Sequence, residues 1–275
     1  SAASDVYKRQ IAKRAIETAL AGQSQWQQVT VTERAAILKR IADLYEQNFA
    51  QLVAMCHKEA GKTLQDSIDE VREAVDFCRY YAEEAKRLSQ QTNTFLDLAG
   101  NKITQKRLAR GTFVCISPWN FPLAIYTGQI VGALAAGNTV VAKPAEQTSL
   151  IAYFAAQLMY QAGVPESVLQ LLIGAGEVGA ALTSSPVIDG VVFTGSTQTA
   201  QMINKSLYSD ERLSMARSEQ NTAQELPILI AETGGQNAMI VDSTALPEQV
   251  VKDAVLSAFG SAGQRCSCLL YTSPS

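Results

Sequence analysis

Two short runs carry the residues whose types and spacing could do chemistry together: Glu232-Thr233-Gly234-Gly235-Gln236-Asn237 and Gly263-Gln264-Arg265-Cys266-Ser267. The first sets a carboxylate at the end of an apolar segment, Pro227 to Ala231, just before a glycine pair. The second sets a thiol after a short polar turn. A thiol can attack a carbonyl and a carboxylate can activate water; an acyl-thioester is made and hydrolysed by those two groups. Cys266 has a second reading as a small apolar residue, but its polar, glycine-containing neighbourhood favours exposure and reactivity. A metal site on Cys266 and Cys268 is disfavoured, because nothing nearby supplies the remaining ligands.

Composition narrows the class. A chain of 275 residues, 47% hydrophobic and 18% charged, is an ordinary globular protein with room for one large or two medium domains. A formal net charge of -3 and the lack of a basic cluster argue against a nucleic-acid partner. Five cysteines (Cys56, Cys78, Cys115, Cys266 and Cys268) are an odd number in a long chain. That argues against a disulfide framework and for a reducing, cytoplasmic location. A single histidine, His57, leaves no histidine-rich metal site and no serine–histidine triad. His57, Cys56, Cys78 and Cys115 read as packing residues. No apolar run reaches the roughly 18 residues of a transmembrane helix, and the amino terminus lacks a signal-peptide pattern.

The elements that must position the two runs follow from periodicity. A short amphipathic helix is expected from Ile11 to Leu20. Thr30 and Glu33 form a capping-box pattern that opens one long helix with Ile37, Ile41, Leu44, Tyr45, Leu52, Val53 and Cys56 on its apolar face, ended by Gly61. A second helix spans about Ser67 to Leu88. Beyond the polar stretch Gln90 to Asn93 the texture changes to short apolar runs alternating with helical patterns. Strands are expected at Phe113–Ile116, Thr139–Ala142, Leu169–Ile173, Gly190–Phe193, Pro227–Glu232 and Ala238–Val241. Helices are expected after Pro122, from Ser149, after Gly179, after Thr197 and from Pro247 to Phe259. This rhythm predicts an α/β fold, a doubly wound parallel sheet with ligands beyond the carboxyl ends of its strands. The polar segment Lys205 to Leu226 reads as an insertion or long loop.

Several loops at those strand ends have two readings each. Gly174-Ala175-Gly176-Glu177-Val178-Gly179 matches a dinucleotide fingerprint or is a tight strand-to-helix turn. Phe193-Thr194-Gly195-Ser196 either presents helix-terminal donors to a pyrophosphate or is a glycine-containing cap. Lys143 and Glu146 either grip the ribose hydroxyls of an adenosine or form an exposed ion pair. In the first case the carboxylate repels a 2′-phosphate and favours NAD over NADP. Asn120, between Pro118 and Pro122, either donates to a developing oxyanion or bonds its own turn.

Taken in order, the 118–122 turn, the 143–146 loop, the 193–196 turn, Glu232 with its glycines and Cys266 resemble the aldehyde dehydrogenase superfamily. The resemblance runs from about Ile11 to Ser267. Ala231 to Asn237 and Ser261 to Ser267 look like one branch, the Δ1-pyrroline-5-carboxylate (glutamate-γ-semialdehyde) dehydrogenase module of bifunctional proline utilisation A proteins. The resemblance implies a Rossmann-like NAD-binding domain with NAD as cofactor and a small aldehyde as substrate. It implies Cys266 as nucleophile, Asn120 as oxyanion donor and Glu232 as the base for water. Ile116, Trp119, Lys143, Glu146, Gly176, Gly179, Phe193, Gly195 and Ser196 would line the NAD site. A proline dehydrogenase domain in the same parent chain and a homo-oligomeric parent are further implications. Family members continue well past the nucleophile, so the chain reads as a fragment. Residues 1–10 and the tail from about Cys268 do not resemble the family and read as non-native flanks. Residues 11–232 are expected to hold the helices and NAD domain, and 233–275 the start of a catalytic domain. The competing class is a non-catalytic nucleotide-binding scaffold.

Overall fold

A computed structural model describes residues 2–91, 93–209 and 226–269. Four helices lead: α1 (Ala2–Trp26), α2 (Val31–Gln47), α3 (Phe49–Ala60) and α4 (Leu64–Gln90). An antiparallel hairpin follows, β1 (Asn93–Leu96) with β2 (Lys102–Gln105). The remainder alternates strand and helix: β3 (Thr112–Ile116), α5 (Ala124–Ala135), β4 (Thr139–Lys143), α6 (Ser149–Gln161), β5 (Leu169–Leu171), α7 (Gly176–Thr183), β6 (Gly190–Thr194), α8 (Thr197–Leu207), β7 (Ile228–Glu232) and α9 (Pro247–Phe259). Strands β3 to β7 form one parallel sheet in the order β5-β4-β3-β6-β7.

Both faces are covered at the central strands β3 and β4, which is why these read as continuous apolar runs, while the edge strand β7 is largely exposed. Alternate residues nevertheless serve different cores. Phe113, Cys115, Val140 and Ala142 join α5 and α6, backed by α2 and α4. Val114, Ile116, Val141 and Val191 join α1, α7 and α8. The strand order reverses direction between β3 and β6, and this topological switch is where a doubly wound sheet opens a crevice.

Five local readings change. The helix expected from Ile11 begins at Ala2 and runs to Trp26, whose indole N–H donates to Leu134 O at 3.2 Å. The single helix after Thr30 is two. The capping box forms as expected, but the chain breaks at Asn48 (φ -102°, ψ 21°), whose side-chain amide bonds Leu44 O at 2.8 Å in competition with the helix ladder. The hairpin was not visible in the polar stretch. Asp97 makes its turn by accepting from the N–H groups of Ala99 (2.9 Å) and Asn101 (2.7 Å), with Gly100 at φ 83°. Ala238 to Val241 forms no strand, because among the described residues no strand lies beside it to complete the ladder; Ile240 is 95% exposed. Of the expected insertion, Lys205 to Leu207 belong to α8, and residues 210–225 lie outside the described residues.

The approach to β3 depends on a glycine. Gly111 has φ 142°, its N–H donates to Asn138 Oδ1 at 3.0 Å, and a Cβ there would overlap the Asp189 carboxylate that holds Thr112 N–H. Gly111→Ala combines left-handed strain with that overlap and is expected to cost about 1–3 kcal/mol of stability. The check is the denaturant midpoint; an unchanged midpoint would show that this turn relaxes freely.

Candidate functional site

The carboxyl edge of the sheet collects the singled-out residues. Ile116 ends β3, Lys143 ends β4, Thr194 ends β6 and Glu232 ends β7. Glu232 pairs in register with Thr194, and its carbonyl accepts from Gly195 N–H at 3.1 Å. Across the switch, Gln129 of α5 donates its amide to Ile116 O (3.2 Å) and Thr194 Oγ1 (3.0 Å), tying the ends of β3 and β6 together. β3 and β7 flank β6, so the chain leaving Ile116 and Glu232 are two strand spacings, roughly 10 Å, apart.

Asn120 does not bond its own turn. Its side-chain N–H donates to Gln264 O at 2.7 Å, so it reaches the loop that carries Cys266. An amide has two N–H hydrogens, and this bond engages one. The backbone of the Asn120 turn is held from behind. Lys62 Nζ donates to Asn120 O at 2.9 Å, lies 4.0 Å from the Phe121 ring centroid, and pairs with Glu70 Oε2 at 2.6 Å. Glu70 Oε1 accepts from the N–H groups of Leu123 (2.8 Å) and Ala124 (3.2 Å), capping the start of α5.

Cys266 is exposed. Its carbonyl accepts from Asn237 Nδ2 at 2.7 Å, and the same amide bonds Cys268 O at 3.0 Å. A Cβ on Gly235 would stand 2.8 Å from Cys266 O, so the glycine pair allows the thiol loop to close on the Glu232 run. Arg265 Nη2 pairs with Asp66 Oδ1 at 2.6 Å, anchoring the same loop to the start of α4. Cys268 is buried, its Sγ 3.9 Å from Gly260 O.

A cavity of about 1220 Å³ lies under α1, α7 and α8, and its walls include Ile116, Lys143, Gly176 and Gly179. Lys143 is 5% exposed, not a surface ion pair. Its ammonium donates to Gly174 O (2.7 Å) and Pro144 O (2.8 Å) and stands 3.9 Å from Glu146 Oε2. Burial pulls its pKa below the ordinary lysine value, and Glu146 opposes that less strongly. A Cβ on Gly176 would meet nothing, while one on Gly179 would touch the Lys143 stem at 3.5 Å. Open backbone, a buried ammonium with a donor to spare and this volume fit a nucleotide.

Trp119, Glu146, Phe193, Gly195 and Ser196 are not walls of this cavity. Trp119 is 41% exposed, and Glu146 begins a 3₁₀ turn on the outside of β4. Phe193 folds over Gly195, where a Cβ would be 2.6 Å from its ring. Ser196 forms the cap reading: its Oγ accepts from Thr199 N–H at 3.1 Å. Thr197 and Gln198, in the first turn of α8, keep backbone N–H groups outside the helix ladder. The sequence reading assigned no role to Lys62, Glu70, Gln129, Asn237 or Arg265. Gln129 was legible as the one long polar side chain in the apolar helix α5, and Glu70 as a carboxylate on the apolar stripe of α4.

A parallel, doubly wound sheet whose carboxyl edge carries Glu232 at the end of β7, with Asn120 bonded to the loop of Cys266, defines the class as α/β with a dinucleotide-type sheet. The chain belongs to the aldehyde dehydrogenase family, whose model matches residues 3–270. It is 52% identical over 259 residues to the bifunctional protein PutA of Escherichia coli, covering 94% of this chain and 18% of that one. A crystal structure of a mutant Bradyrhizobium japonicum proline utilization A superposes with a TM-score of 0.85 at 48% identity, covering 95% of this chain and 26% of the other. The 1-pyrroline-5-carboxylate dehydrogenase of Staphylococcus aureus is 35% identical over 245 residues, 88% of this chain and 45% of that enzyme. The chain thus spans under a fifth of the bifunctional relative's length and under half of the single-function one's.

The thiols separate by environment. Burial raises the pKa of Cys56, Cys78 and Cys115 well above the ordinary thiol value, so they stay protonated through the working range. Alkylation of the native protein at mild alkaline pH is expected to label Cys266 first, with those three protected until unfolding. Peptide mapping checks this; early labelling of Cys115 would contradict the packing of β3.

Proposed function

We propose that the protein containing this chain oxidises an aldehyde to a carboxylic acid with NAD, through a covalent intermediate on Cys266. The observation that carries the reading is the bonding of Asn120 to Gln264 and of Asn237 to Cys266, which gathers amide, thiol and carboxylate runs at one edge. The Cys266 thiolate attacks the aldehyde carbon, and the free N–H of Asn120 and the Cys266 backbone N–H hold the oxygen that becomes negative. When bound, the nicotinamide supplies the acceptor for the hydride that leaves that carbon, so the thiohemiacetal becomes a thioester. Glu232 then takes a proton from water as it attacks the thioester, and the Cys266 thiolate leaves with release of the acid. Ile116, Lys143, Gly176 and Gly179 would hold the nucleotide, with Trp119, Glu146, Phe193, Gly195 and Ser196 completing its site at the strand ends.

The substrate we propose is glutamate-γ-semialdehyde, oxidised to glutamate, supported by likeness to PutA proteins and to a 1-pyrroline-5-carboxylate dehydrogenase. On the same basis the parent carries a proline dehydrogenase domain, assembles as a homo-oligomer and works in the cytoplasm. Among the described residues no helix is long and apolar enough to cross a membrane. The 275-residue chain alone is expected to lack turnover. A nucleophile needs walls that orient the aldehyde, and a displacement of about 1 Å can cost roughly 10²-fold. The exposed Ile240, Leu256 and Phe259 are surfaces those walls would cover.

The test is NADH formation from glutamate-γ-semialdehyde by the full-length protein, which Cys266→Ala should abolish. Persistent turnover in that variant would remove Cys266 from the reaction. NAD should be preferred because Glu146 accepts from a ribose hydroxyl and repels a 2′-phosphate. Glu146→Gln is expected to narrow the NAD-over-NADP preference at least about tenfold, roughly 1.4 kcal/mol. Titration with both dinucleotides checks this, and an unchanged ratio would show that Glu146 does not face the ribose.

A further inference from the structure

The start of α4 faces the site with two carboxylates one helical turn apart, and neither touches the reacting groups directly. Asp66 holds Arg265, the neighbour of Cys266, at 2.6 Å. Glu70 has a fully buried side chain and holds Lys62, whose side chain is 4% exposed, also at 2.6 Å. A buried ion pair is weak as a source of stability, since desolving two charges offsets most of their attraction. What this pair does is geometric. The Lys62 ammonium donates to Asn120 O, lies against the Phe121 ring and makes a close charge contact with Glu70 Oε2. The backbone of Lys62 is fixed in turn, because His57 Nδ1 donates to its carbonyl at 2.6 Å. Glu70 spends its other oxygen on the N–H groups of Leu123 and Ala124, at the far end of the same turn. The turn from Asn120 to Ala124 is therefore clamped at both ends by one ion pair.

We propose that Lys62, oriented by Glu70, is a positioning residue for Asn120. It fixes the Asn120 carbonyl, and with it the direction of the side-chain amide. One N–H of that amide is held on Gln264 O while the other is aimed at the developing oxyanion. This rests on the reading of Asn120 as oxyanion donor given above. The clamp matters most when charge builds on oxygen, so its loss lowers kcat and leaves the KM for NAD within about twofold.

The experiment is a double-mutant cycle in the full-length protein. Lys62→Met with Glu70→Gln removes both buried charges together, so no unpaired charge is left, and Gln keeps an acceptor for Leu123 and Ala124. Asn120→Ala alone should lower kcat about 10²–10³-fold. The paired variant should lower kcat at least about tenfold when Asn120 is present, and less than about twofold in the Asn120→Ala background. Lys62→Arg with Glu70 intact should recover part of the loss, since it restores the charge and a donor. Equal losses in both backgrounds would overturn the proposal and make the pair merely structural, as would no loss in either. A failure of the oxyanion reading itself appears separately, as an Asn120→Ala variant with unchanged kcat. If the paired variant does not fold, Glu70→Gln alone runs the same cycle with the ammonium retained, and additive losses there likewise overturn the proposal.

Discussion

A parallel sheet whose central strands are buried on both faces constrains everything else in this molecule. Its strands must all run one way, so every strand ends at the same edge, and each crossover helix begins there. The buried strands β3 and β4 are apolar apart from Thr112 and Thr139, which bond each other at 2.9 Å, the buried Cys115 thiol and the terminal Lys143. Polar function is thereby confined to the loops at the carboxyl edge. Residues far apart in sequence meet there without any one contact having to draw them together.

The edge is made rigid by polar links that bypass the apolar core. Gln129 joins the ends of β3 and β6, and Gly195 N–H joins the 193–196 turn to Glu232. Asn237 joins the Glu232 run to the Cys266 loop. Helix α4 supplies the remaining supports through Asp66 and Glu70. Apart from the backbone bond of Gly195, each of these links comes from a side chain whose partner lies elsewhere in the sequence, which makes the support for the site invisible to local pattern. The cavity lies against α7 and α8, while Asn120 bonds the loop that carries Cys266.

How much was legible in the sequence follows from this division. The sheet strands, the Thr30–Glu33 capping box and α9 declare themselves by short-range pattern, and each forms. The family is carried by motifs in order, and the comparisons place the chain in it. The break at Asn48 escapes because it depends on one amide turning back to Leu44 O against an unbroken apolar stripe. Ala238 to Val241 has a strand's composition, but a strand also needs a neighbour, and residue types do not report one. Glu70 sits among Ser67, Val71 and Ala74 on a buried face, where an acid signals a partner without naming it. Lys143 looks like an exposed pair with Glu146 in sequence, yet packing against Gly179 buries its stem.

The central claim is that Cys266 becomes acylated while Asn120 holds the oxygen and Glu232 supplies the water. The most direct measurement is the intact mass of the full-length Glu232→Gln variant after brief mixing with aldehyde and NAD. With water activation lost, the thioester should accumulate. The protein mass should rise by that of the aldehyde less two hydrogens, and peptide mapping should place the addition on Cys266. An unmodified protein that still forms NADH at the unaltered rate, or an adduct on another cysteine, would contradict the account.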